Sequence, residues 1–286
     1  MCRFIPFLVL VALLAGCNSS PTGGVTQAVS ITNASYVVLD LASGTLETRV
    51  DIPSLTSDPQ WRTTKLVFRR LPTSAGTVGA ASADLGTDLG DAAVTGVTTG
   101  AAFLAVFETT QAQWSALGGA ATWLDPDLRA AGGDIIAAGA PAFGISRVAA
   151  ETLCATYGNG RGFRLGLPSG TMWELACRAG NGVGWFAWGD DMAVEGVRPF
   201  AAVFETQAGQ AGPRQADGSR LPNAFGYYDL HGNLWEWLAE SDAFGDGLIC
   251  GGSWNDTVPL ARCSNRVALD PVVAHPLVGV RLVLIP

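Results

Sequence analysis

Residues 36–41 are an apolar, strand-like run, Ala42-Ser43-Gly44 makes a turn, and apolar and polar positions alternate over 45–52, which predicts a β-hairpin. Residues 61–70 predict a further strand. The stretch 73–100 is built from Ala, Gly, Thr, Ser, Val and Asp with almost no large side chain, so it is expected as a long surface excursion rather than core. A cap-like Thr110 opens a helical run to Leu117. The clearest helix covers 146–157: Ser146 caps it, Val148, Leu153 and Cys154 fall on or near one face, and Gly158-Asn159-Gly160 stops it. A second begins at Thr171 and ends at Arg178, before Gly180. Beyond that point the chain is rich in Trp and Gly, with short strands expected near 248–254 and 279–284. Periodicity alone gives a loop-rich α+β chain with two main helices and no internal repeat.

Composition narrows the class. Over 286 residues the hydrophobic fraction is 48%, with 36 Gly and 9 Trp, which excludes global disorder. The 17 Lys+Arg against 25 Asp+Glu leave a net charge of −8, the wrong sign for tracking phosphates, so nucleic acid is not an expected partner. Only 2 His are present, which limits imidazole-based metal or proton-relay chemistry. His231 and His275 are read as packing and loop residues.

The first residues carry an address. Met1-Cys2-Arg3, an apolar run over 4–14 and Ala15-Gly16-Cys17 have the order of a secretory signal. Leu14-Ala15-Gly16-Cys17 resembles a bacterial lipobox, which makes Cys17 the expected lipidation site and the membrane a partner through acyl chains only. Asn18 follows, not the Asp of inner-membrane retention. The expected location is therefore the bacterial cell envelope, on the outer membrane or cell surface. The expected organisation is a signal at 1–17, a polar tether at 18–30, an N-terminal β-hairpin extension at 31–61 and a main domain at 62–286.

Four motifs recur in order: Phe163-Arg164-Leu165-Gly166-Leu167-Pro168 running on to Trp173-Glu174-Leu175-Ala176-Cys177-Arg178-Ala179-Gly180; Ala187-Trp188-Gly189-Asp190; Pro222-Asn223-Ala224-Phe225-Gly226 through Asp229-Leu230-His231-Gly232-Asn233-Leu234-Trp235-Glu236-Trp237; and Gly251-Gly252-Ser253-Trp254 with Gly279-Val280-Arg281-Leu282. Together they resemble the formylglycine-generating-enzyme, or sulfatase-modifying-factor, family, whose usual strings are RLPTEAEWEYA-RGG, PWGD, PNAFGLYDMAGNVWEW, RGGSW and GFR. Phe107-Glu108-Thr109-Thr110-Gln111 is similar to that family's YEVTN. The resemblance implies an α+β, C-type-lectin-like fold with two helices and a small twisted sheet.

The same resemblance bears on chemistry. The family's activity is copper-dependent oxidation of a sulfatase cysteine by two thiols just after GGS. The segment is shorter in this chain, and Asp256 and Val258, or their neighbours, stand there, so no copper is expected and a formylglycine-generating oxidase is the disfavoured second reading. Cys263 is similar to a structural cysteine that pairs with the one at Cys177, which implies a Cys177–Cys263 disulfide in an oxidising compartment. Cys154 is left free or paired with Cys250. Of the family's two calcium sites, the second is implied here by Asp229, Gly232, Leu234 and Glu236, with calcium as a structural ion. Trp254-Asn255-Asp256 reads like the WND of sugar-chelating lectins, but the EPN or QPD triplet such a site needs is missing.

Some members of this fold are variable proteins of diversity-generating retroelements, whose variable stretch lies between GGSW and a last GFR-like strand. Residues 255–278 occupy that place. Adenine-directed mutagenesis of Asn codons ending in C or T cannot create Lys, Glu, Gln, Met or Trp, and none of these occurs there. The expected function is a lipid-anchored extracytoplasmic binding protein for a protein or neutral glycan. The expected contact residues are Asn255, Asp256, Thr257, Val258, Pro259, Asp270, Val272 and His275. Arg262 and Arg266 are assigned to loop support.

Overall fold

A computed structural model of the chain describes residues 31, 34–79, 93–182, 184–203 and 220–286. The signal, lipobox and tether expected before residue 31 lie outside the described residues, as does most of the segment before Pro222. Among the described residues no helix is long and apolar enough to cross a membrane.

The hairpin forms as β1 (Tyr36–Asp40) and β2 (Leu46–Arg49), with Val38 opposite Glu47. β1 also pairs with β3 (Lys65–Arg70), and the hairpin closes one edge of a six-stranded sheet in the order β2-β1-β3-β6-β12-β7. The remaining members are β6 (Phe103–Ala105), β7 (Arg164–Gly166) and the C-terminal β12 (Val283–Ile285). Period-two alternation sends Val37, Leu39, Leu66 and Phe68 into the main core, while Val38 and Val67 pack on the other face against Ile52, Trp61, Val106 and Phe107.

The strand expected over 61–70 begins later than its pattern implied. Asp58 caps a 3-10 turn at Pro59–Arg62, accepting from the Gln60 N–H at 3.0 Å, and the proline at its start favours the turn over a strand. The excursion at 73–100 is anchored at both ends. β4 (Gly76–Val78) and β5 (Val94–Val97) form a two-stranded ribbon, and Gly79 N–H donates to Glu174 Oε1 at 2.6 Å.

The helices are set by their caps. α1 (Gln111–Ala116) starts with a capping box between Thr110 and Gln113. α2 (Pro126–Ala131) is capped by Asp125. Ser146 caps α3 (Arg147–Gly158), which buries Arg147, Ala150, Leu153 and Cys154. Val148, expected on that buried face, instead faces solvent. Ser169 caps α4 (Gly170–Arg178), two residues ahead of the start expected from sequence. The short α5 is Val194–Val197.

A second, four-stranded sheet has the order β10-β9-β8-β11. It comprises β8 (Trp235–Ser241), β9 (Gly247–Cys250), β10 (Arg266–Leu269) and β11 (Val278–Gly279), the last parallel to β8. Long loops join these strands, and the loops carry the sites.

Candidate functional site

The turn leading into β8 is wound by left-handed backbone at Asp229 (φ 57°), Gly232 (φ 83°) and Asn233 (φ 66°). Gly232 admits no side chain, since a Cβ there would sit 2.1 Å from the Ala202 carbonyl oxygen. The winding delivers Glu236 to the fully buried Arg281. Arg281 Nη2 donates to Glu236 Oε1 at 2.7 Å, Nε to both carboxylate oxygens at 3.0 Å, and Trp173 Nε1 adds a bond of 2.6 Å. The rest of the guanidinium satisfies the carbonyls of Ala105, Val106 and Tyr228. Glu108 lies beside this pair, accepting from Asn233 Nδ2 and from Leu234 N–H at 3.0 Å. Burial, then the charges of Asp229 and Glu236, push the Glu108 carboxyl well above the usual range.

This geometry bears on calcium. Asp229 and Glu236 lie beside one buried cation, Arg281, and Glu108 is held toward its neutral form, so it adds no fixed negative charge for a divalent ion. Of the expected donors, Glu236 is the most heavily committed, with both oxygens held by Arg281.

The segment after β9 divides into braces and displayed residues. Asp256 Oδ2 accepts from Trp235 Nε1 at 2.7 Å, Ser253 N–H at 2.9 Å and Ser253 Oγ at 2.5 Å, so this half-buried side chain ties the loop to β8. Val258 is a correction: it is buried in a cluster with Phe186, Val197, Val203 and Ala261. Asn255, Thr257, Asp270 and Val272 are exposed, whereas Pro259 and His275 are half-buried. Burial lowers the His275 pKa, and nearby Asp256 opposes this, which links the loop at 255–257 electrostatically to the one at 270–275. Arg262 reaches back to the Pro259 carbonyl at 2.5 Å, and Arg266 bonds Cys263 O and Glu174, consistent with loop support.

The structure brings Cys177 and Cys263 together as free thiols, Sγ to Sγ 2.8 Å. Cys154 and Cys250 fall in different core clusters and are free thiols as well. Against the first pair stands His231, whose Nε2 is 3.5 Å from Cys177 Sγ and 4.0 Å from Cys263 Sγ. Sequence alone reads this imidazole as packing. Its signal is a departure from the motif, because the family string has Ala where this chain has His231. Burial opposes ionisation of both thiols. The Cys177 hydrogen bond, His231 and Arg178 nevertheless hold Cys263 below the ordinary thiol range, and Cys177 is pushed well above it.

Two curled sheets, few helices and long motif-bearing loops define an α+β protein of the C-type-lectin-like class. Residues 70–285 match the sulfatase-modifying factor enzyme 1-like domain, and the chain belongs to that family. It is 29% identical over 127 residues to the inactive C-alpha-formylglycine-generating enzyme 2 of Bos taurus, a match covering 40% of this chain and 42% of that protein. It therefore spans less than half the length of that curated relative. Among solved structures, variable protein 1 of Treponema denticola superposes with a TM-score of 0.62 at 16% identity, over 78% of this chain and 96% of that one. PvdO from Pseudomonas aeruginosa gives 0.60 at 23% identity, over 77% and 94%. At these identities the likeness shows the fold.

Proposed function

We propose that this chain is a lipid-anchored, extracytoplasmic binding protein that presents the segment 255–278 on a sulfatase-modifying-factor scaffold. One observation carries the reading. At the two positions where the family's enzymes keep copper thiolates, Asp256 braces the loop and Val258 fills the core, while their neighbours Asn255 and Thr257 face solvent. The place of the catalytic pair has become the underside of a display loop. Exposed Val272 and Val273 add apolar surface suited to a protein contact or to the face of a neutral sugar. The net charge of −8 disfavours polyanionic ligands. Cys17 is the anchor of this reading, and the bacterial envelope, outer membrane or surface, its place.

A photo-reactive residue tests the face. Installed at Thr257 or Val272 on cells carrying the protein, it is expected to give discrete adducts that the same group at exposed Val50 does not. Equal labelling at all three positions overturns the assignment. If the segment is also diversified, a reverse transcriptase and a near-copy of the 3′ end lie beside the coding sequence.

A structural calcium belongs to this reading, held by Asp229, the Gly232 and Leu234 carbonyls and Glu236; the buried Asp229 carboxylate in a left-handed turn supports it. Chelation is expected to lower Tm, and calcium to restore it. An unchanged Tm removes the ion from the account. A Cys177–Cys263 bridge in the oxidised protein is supported by the adjacency of the two sulfurs. Alkylation of Cys177 under non-reducing conditions would dismiss it.

A further inference from the structure

We infer that in their dithiol state Cys177 and Cys263, together with His231 Nε2, form a three-coordinate site for a soft monovalent cation, Cu(I). Three donors converge: both sulfurs and one imidazole nitrogen lie within 4.8 Å of one another, and all three residues are buried. This site is distinct from the place of the family's catalytic thiols, which Asp256 and Val258 occupy.

The Ala261 carbonyl fixes the tautomer: it lies 2.7 Å from His231 Nδ1, so Nδ1 carries the proton and Nε2 is the nitrogen left to coordinate. Cys177 Sγ lies beside the ring, 3.5 Å from Nε2 and 3.9 Å from Nδ1, so the imidazole must turn to aim Nε2 at an ion shared with the sulfurs. Among the described residues the only other group at Nε2 is the Ala187 N–H, at a long 3.3 Å. In a trigonal site with metal–sulfur bonds of about 2.3 Å and a metal–nitrogen bond of about 2.0 Å, each N···S edge is about 3.7 Å and the S···S edge about 4.0 Å. The N···S edges, 3.5 and 4.0 Å, already have this length. Two adjustments remain: the sulfurs must part, from 2.8 Å, and the ring must turn. Closing to a disulfide asks for a comparable movement in the opposite direction, to about 2.0 Å.

Coordination number selects the ion. Among the described residues no fourth His, Cys, Asp or Glu joins the cluster, whereas zinc with three protein ligands keeps an open, watered position. Two thiolates and one imidazole in a dry pocket suit Cu(I). A cavity of about 10 Å³ bordered by Ala187, Tyr227, Asp229, Leu230 and His231 adjoins the imidazole.

Disulfide and metal site are two states of the same sulfurs. Opening the bridge takes two electrons and two protons from a dithiol reductant, which leaves as its own disulfide. Binding then releases the two thiol protons and forms two Cu–S bonds and one Cu–N bond.

The test uses the full chain, reduced and freed of reductant without oxygen, then titrated with Cu(I) against a coloured Cu(I) chelator. One equivalent is expected to bind, with sulfur-to-copper absorption in the ultraviolet and, by X-ray absorption, a shell of two sulfurs and one nitrogen. Cys177→Ser and Cys263→Ser should weaken binding more than about 100-fold and His231→Ala about 10- to 100-fold, each in protein shown to be folded by circular dichroism. The double variant Cys154→Ser/Cys250→Ser should bind as the parent does. Bound Cu(I) should also slow reoxidation of the pair, whereas Zn(II) should bind more weakly. The inference fails if folded, reduced protein takes up no equivalent, if His231→Ala binds as the parent does, or if the Cys154/Cys250 variant abolishes uptake. Such a failure leaves the binding-face reading untouched, because that reading is tested by crosslinking.

Discussion

In the six-stranded sheet the interior is hydrocarbon and the charges sit on the rim, whereas the four-stranded sheet carries its charges inside. Val37, Leu39, Leu66, Phe68 and Phe103 fill the first, with Asp40–Lys65 and Glu47–Arg49 at the margin. Around the second, Glu236–Arg281 and Glu174 with Arg178 and Arg266 are buried. The difference follows from the backbone. Ladder-paired strands satisfy their own carbonyls, while loops do not, and a buried guanidinium has five donors to offer them. Arg178 serves the loop carbonyls of Gly79, Gly182 and Gly184; Arg281 serves Ala105 at the end of β6 with Val106 and Tyr228 beyond it; and Arg147 serves Ala239 and Glu240, where the pairing of β8 with β9 is irregular. Buried arginines thus tie irregular backbone to the core.

The largest expected effect comes from removing such a tie. Arg281→Ala strands Glu236 and three carbonyls and should cost about 3–5 kcal/mol in urea unfolding, or prevent folding. Adding Glu236→Gln should recover part of the loss by removing the unpaired charge. A cost below about 1 kcal/mol would mean that water or an ion replaces the guanidinium, and the contrast between the sheets would fall.

Leu39→Ala probes the other sheet and should cost about 2–5 kcal/mol through lost burial and a cavity. Its cost should not change with salt, and no second-site charge change should rescue it. Rescue by a charge change would show that the two regions are not held differently.

These unlike interiors also explain what could be read in advance. The hairpin, α3 and α4 were legible because alternation, a serine cap and a glycine stop are local signals. The 3-10 turn at Pro59–Arg62 was hidden by apolar Trp61, which packs on the far face of the sheet. The motifs gave the family and the position of the segment after GGSW, but not which of its side chains turn inward. Asp256 looked like a contact residue because a polar side chain after GGSW says nothing of Trp235 Nε1, which arrives from β8, 21 positions away in sequence. Val258 misled in the same way. His231 was visible as a departure from its motif, yet its meaning depended on Cys177 and Cys263, which only the tertiary fold sets beside it.

The smallest expected effect lies on the rim of the first sheet. The Lys65 ammonium at 2.7 Å, then the Ser43 N–H and hydroxyl, hold the Asp40 carboxyl far below its ordinary value of 3.8. A depressed folded-state pKa gives stability that is present above the unfolded value and lost as pH falls through the folded one. Asp40→Asn keeps the turn's acceptor oxygen and loses the charge. At neutral pH it should therefore lower Tm by less than either core variant, and the gap to the parent should narrow as pH falls below about 4. Salt should narrow it too, because this carboxylate meets solvent, while the Arg281→Ala deficit should barely respond. Tm measured against pH and salt for both variants checks this. An Asp40→Asn gap that persists in acid and high salt would place this ion pair with the buried ones, and the rim would no longer differ from the interior of the other sheet.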